Sequence, residues 1–103
     1  MIKTENQKQE NKNYELCADI LATFSILEKW GFDSITSNLS LFAEVLNELD
    51  FKTFNGLPLN SSNLSNMFRR LSKKERELLL EEFNSGFRSF HLMQEQNTRN
   101  IIH

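Results

Sequence analysis

The side chains able to do chemistry in this chain are few and poorly placed for catalysis. Serines are plentiful as nucleophiles, but only His91 and His103 offer an imidazole base, and neither is spaced to work with an acid and a nucleophile. His91 reads as a helix-surface residue, and His103 is the last residue given. Glu81 and Glu82 leave a helix in different directions, with Glu77 one turn earlier, which describes a solvated face rather than an acid–base pair. The single cysteine, Cys17, and two distant histidines do not make a zinc set, and His91 with Glu95 at i, i+4 is a common surface pair. Gly31, Gly56 and Gly86 are too scattered to cradle a phosphate. These residues point to a non-enzymatic protein with no metal, no cofactor and no small-molecule substrate.

Binding chemistry has a firmer footing. Arg69, Arg70, Lys73, Lys74 and Arg76 crowd together, with Lys52 upstream, in a chain of net charge -2. A local cationic edge of this kind suits phosphate contact. Ser62, Ser65, Asn66 and Arg69 project opposite the apolar stripe of one expected helix, and Asn and Arg match adenine and guanine edges in a major groove. Any exposed helix face must also be polar, and the cations could pair with Glu75 and Glu77. Lys73 and Lys74 oppose the macrodipole at a helix start, which favours a role in binding.

Four helices are expected to position these residues. Leu16, Cys17, Ile20, Leu21, Phe24, Leu27 and Trp30 form a wide stripe at helical spacing, ended by Gly31 in a left-handed cap. Ile26 lies off that stripe, as a half-exposed neighbour. A second helix, about Leu39 to Leu49, carries Phe42, Val45, Leu46 and Leu49, with Ser37, Asn38 or Ser40 as its cap. Asn55-Gly56 and Pro58 mark Asp50 to Ser61 as a tight loop or a minimal two-stranded wing. Ser61 or Ser62 caps a third helix with Leu64, Met67, Phe68 and Leu71 on its apolar side.

The fourth helix opens with the capping box Ser72 and Glu75 and continues past Met93. Leu79, Leu80, Phe83, Phe87, Phe90 and Met93 make its core face, whereas Leu78 and Leu92, aligned through Ser85 and Ser89, form a thinner seam for a partner. Gly86 either meets another backbone closely or breaks this helix.

With 103 residues and 39% hydrophobic content, the chain fits one domain. The expected organisation is a disordered polar arm over 1-12, a helical domain over 13-96 and a frayed tail over 97-103. No signal peptide or membrane span is read, and the lone Cys17 on an apolar stripe suits a reducing compartment, so the expected location is the cytoplasm.

One stretch resembles a known family. Ala43, Leu46-Asn47, Phe51, Thr53, Gly56-Leu57-Pro58-Leu59, Ser62, Leu64 and Met67-Phe68 are similar in order to the helical DNA-binding module that follows the catalytic domain of large serine recombinases. Asp50 stands where that family has a turn glycine, which Asp tolerates because it enters the left-handed region readily. Leu59 stands where the family has a tryptophan. The resemblance implies DNA contact through the third helix and the loop, without strand-exchange chemistry.

The reading is therefore an all-α domain with a helix-turn-helix-like pair and a long C-terminal helix. Its expected function is that of a DNA-binding regulator or accessory factor from a mobile element, acting as a homodimer in transcription regulation. DNA contact would fall to Lys52, Ser62, Ser65, Asn66, Arg69, Arg70, Lys73, Lys74 and Arg76. The alternative is a protein-interaction module, an inhibitor or adaptor, that uses Leu78, Ser85, Ser89 and Leu92 on a target protein.

Overall fold

The computed structural model describes the backbone of residues 2–102 and the side chains of residues 12–96. The expectations for the arm over 1-12 and the tail over 97-103 lie outside the described side chains, Lys12 apart. The all-α class holds: the described residues form α1 (Ile2–Lys29), α2 (Asp33–Thr36), α3 (Leu39–Glu48), α4 (Ser61–Arg69), α5 (Lys73–Phe83) and α6 (Ser85–Ile102). Among the described residues no helix is long and apolar enough to cross a membrane.

The periodicity that builds these helices also builds the core. Cys17, Ile20, Leu21 and Phe24 of α1 are fully buried against Phe42 and Leu46 of α3, Leu64 and Phe68 of α4, Leu79 of α5 and Phe90 of α6. Phe90 is the hub: its ring lies 5.4 Å from Phe24, 6.0 Å from Phe42 and 4.5 Å from Phe68. The Phe24 contact is edge-on at 81°, an arrangement that sets the positive ring edge on the negative face. Four helices are thus locked through one side chain.

Helix ends explain the connections. Gly31, at φ 83°, follows α1; its N–H donates to Glu28 O at 3.1 Å and the Phe32 N–H to Leu27 O at 3.0 Å. This pair of bonds is a Schellman cap. The same cap closes α3, with Asp50 at φ 66°, its N–H on Asn47 O and the Phe51 N–H on Leu46 O, both 3.0 Å. Asp50 therefore takes the left-handed geometry anticipated for it. Leu49, expected in the core, is exposed instead because the buried stripe of α3 ends a turn earlier, at Leu46.

Between α3 and α4 the chain is a tight loop with no strand among the described residues. The Thr53 N–H donates to Leu57 O, and the Leu57 N–H returns to Thr53 Oγ1. Asn47 grips the other side: its Nδ2 donates to Leu59 O at 2.8 Å while its Oδ1 accepts from Leu59 N at 2.7 Å. That amide acts as a two-bond clamp on the backbone and buries Leu59. Asn38 caps α3. The cap of α4 is Asn60, not Ser61 or Ser62, because Asn60 and Asn63 exchange side-chain and backbone bonds in a reciprocal box. The Ser72 and Glu75 box at α5 forms as expected.

The expected fourth helix is divided. Asn84, at φ 42° and ψ -99°, leaves helical geometry and separates α5 from α6. Gly86 then lies on α1: a Cβ there would overlap Ser25 Oγ and stand 3.3 Å from Ser25 Cβ. The break sits at Asn84, two residues before Gly86, and what approaches the glycine is the Ser25 side chain rather than a backbone. The one-turn helix α2 is too short for any periodicity to announce it.

Candidate functional site

The cationic edge can be placed residue by residue. Lys52 is exposed on the loop, Ser62 and Asn66 are exposed on α4, and Arg69, Arg70, Lys73 and Lys74 are exposed around the α4–α5 junction. Ser65 is not on that face: it is 8% exposed, because α4 is covered by both α1 and α3 and its buried arc is wider than the apolar stripe. Arg76 is half-buried, and its guanidinium donates to Phe68 O at 2.8 Å. Asn13 Nδ2 likewise donates to Met67 O at 3.2 Å, with the Cys17 thiol 3.8 Å from the same oxygen. Carbonyls at the C-terminus of α4 thus take side-chain donors from α1 and α5, Phe68 O in addition to the Leu71 N–H at 3.3 Å. Arg76 spends its charge on the negative end of a helix rather than on a phosphate.

The proposed chemistry of single residues is equally legible. Burial above all, with Glu75 adding to it and Arg76 opposing, pushes the Cys17 thiol up from 9.0 to about 12. A thiol so far from ionisation is not a nucleophile at neutral pH. His91 Nε2 lies 3.1 Å from Glu95 Oε1 on the exposed side of α6, and His103 lies outside the described residues. Among the described residues no three His, Cys, Asp or Glu side chains gather into a cation site.

The expected partner seam is split by the Asn84 turn. Leu78 is exposed on α5, while Ser85, Ser89 and Leu92 belong to α6, with Ser89 half-buried and Leu92 exposed.

A different apolar face stands out at the end of α1. Trp30 is 71% exposed, Ile26 one turn before it is 50% exposed, and Phe32 just past the cap is 45% exposed. Periodicity had assigned Trp30 to the core. The signal that places it correctly is its i, i+4 relation to Ile26, which already lay off the buried stripe. Large aromatic groups left in water at an ordered helix end are the material of protein interfaces.

Comparison with known proteins bears on the chain as a whole. A model of the family AsiA, Anti-Sigma Factor A, matches residues 11–93. The 10 kDa anti-sigma factor of Enterobacteria phage T4 is 31% identical over 88 residues, covering 85% of this chain and 97% of that protein. No solved structure matches the chain. These findings overturn the recombinase resemblance, whose pattern of two amphipathic helices around a glycine-containing loop recurs in unrelated proteins. They equally overturn the DNA-binding, helix-turn-helix reading built on the cationic edge, and neither DNA nor self-association finds support in them. The protein-interaction alternative fits them instead. A match running from the middle of α1 through the core of α6, with a relative aligned over nearly its whole length, shows that the chain belongs to the AsiA anti-sigma factor family.

Proposed function

We propose that this protein is a non-enzymatic regulator that binds a sigma factor and so holds back transcription initiation, with Ile26, Trp30 and Phe32 as its docking face. The family match over residues 11–93 carries the reading of partner. The exposure of Trp30 supports the choice of face, since buried tryptophans dominate interface energetics. A cytoplasmic location goes with this reading, supported by the free Cys17, which suits a reducing compartment. The seam residues Leu78, Ser85, Ser89 and Leu92 form a second candidate contact on the same partner.

The test is titration of a labelled enterobacterial primary sigma factor with the protein and its variants. Trp30→Ala is expected to weaken the complex by about thirtyfold, a hot-spot loss of about 2 kcal/mol. Absence of any complex would reject the sigma-factor reading, whereas a complex untouched by Trp30→Ala would reject only the face. Leu92→Glu in the same titration decides whether the α6 seam takes part.

A further inference from the structure

We propose that the open cleft between α5 and α6 is a second docking site, one that takes an acidic amphipathic helix of a protein partner. The cleft has a volume of about 390 Å³. Its apolar surface comes from Leu80 and Phe87. Leu80 belongs by periodicity to the core face, yet it remains 37% exposed because the Asn84 turn carries α6 away from the line of α5. Phe87 is largely buried and serves as a floor.

The charge around this apolar strip is one-sided. Lys73, Arg76 and Arg88 line it against one acid in the lining, Glu77, while His91 at its edge is paired with Glu95 and is not counted as a cation. The chain as a whole carries net charge -2, so the cations are concentrated here against its average. Lys73 occupies the first turn of α5, where the macrodipole disfavours a cation. Arg76 is already committed to Phe68 O, which leaves Lys73 and Arg88 as the groups that would face a partner's carboxylates. An apolar strip flanked by cations complements a helix with bulky apolar residues along one stripe and Glu or Asp on either side of it. Glu77 on the rim and the lack of a flat exposed ring argue against a nucleic acid strand.

This site is separate from the Trp30 face and stands whether or not that face binds a sigma factor. The probe is a fluorescent helical peptide with Leu at i, i+3, i+4 and i+7 and Glu between them, followed by anisotropy against the full chain. Binding is expected to fall about tenfold or more in Leu80→Glu and in Arg88→Glu, to weaken as salt rises, and to persist in Trp30→Ala. The same peptide with Lys for Glu should not bind. Failure of the acidic peptide to bind, equal binding of the Lys peptide, undiminished binding in both cleft variants, or loss in Trp30→Ala alone would each overturn the proposal. Circular dichroism checks folding, and Arg88→Glu, at an exposed position, carries the test if Leu80→Glu does not fold.

Discussion

Gly86 offers the sharpest test of how the domain is assembled, because two opposing effects meet at one hydrogen atom. Replacing it with alanine should help α6 by about 1 kcal/mol through helix propensity. The new methyl, however, would overlap Ser25 Oγ on α1. Overpacking of this kind costs about 1–3 kcal/mol, so Gly86→Ala is expected to lose about 1 kcal/mol net. Ser25 Oγ is buried without a hydrogen-bond partner, so Ser25→Ala should be neutral or stabilising by up to about 1 kcal/mol. In the double variant the overlapping atom is gone and only the 3.3 Å approach to the Ser25 Cβ remains. The propensity gain should then dominate, giving a coupling of about 1.5 kcal/mol between the two sites. Urea denaturation followed by circular dichroism at 222 nm (about the usual helix band) measures all four corners. Trp30 fluorescence is the poorer probe because the ring is already in water. If Gly86→Ala costs the same in both backgrounds to within about 0.5 kcal/mol, the α1–α6 contact does not work as described.

Further outcomes follow from the same structure. Asn47→Ala should lose about 2 kcal/mol by freeing both backbone groups of Leu59, and Asn47→Asp should rescue little, because a carboxylate oxygen would then face Leu59 O; thermal unfolding reads both. Asp50→Gly should gain about 0.5–1 kcal/mol, since φ 66° suits glycine better than any L residue; a loss would mean that the Asp side chain stabilises the cap by a route of its own. The Cys17 thiol is raised in the fold from 9.0 to about 12. The unfolded chain therefore loses this proton first as pH rises, and stability is present below pH 9.0 and declines toward 12, by at most about 1.4 kcal/mol per pH unit. The advantage of the native chain over Cys17→Ala in urea should accordingly shrink between pH 8 and pH 10 (about one unit on either side of the free-thiol value).

Much of the fold was legible because burial and periodicity speak through the same residues. Phe24, Phe42, Phe68 and Phe90 all sit on apolar stripes and all meet in the core. Gly31 and the Ser72–Glu75 box are local signals, decided within a few residues, and both form. The Asn84 turn was legible only as one of two readings of Gly86, two residues on, because the amphipathic pattern runs across the break without interruption. Asn60 displaced the serines as a cap through its partner Asn63, a cooperative choice that single-residue preference does not reveal. The DNA reading failed for a general reason: solvent and a major groove favour the same polar side chains. Arg76 separates the two only through its bond to Phe68 O, a contact that becomes visible in three dimensions.

The cap at the end of α1 has a consequence for recognition. The N–H groups of Trp30, Gly31 and Phe32 are all tied back to the last turn, on Ile26, Glu28 and Leu27. A partner that closes over the Trp30 indole would therefore not have to freeze the chain that carries it; two side-chain torsions are the main freedom left to lose. The anchor is preorganised, so most of its contact energy is available for holding the complex. Altering Gly31 would change no side chain of that face and still loosen the grip, because a side chain strained at φ 83° weakens the cap that holds the helix end.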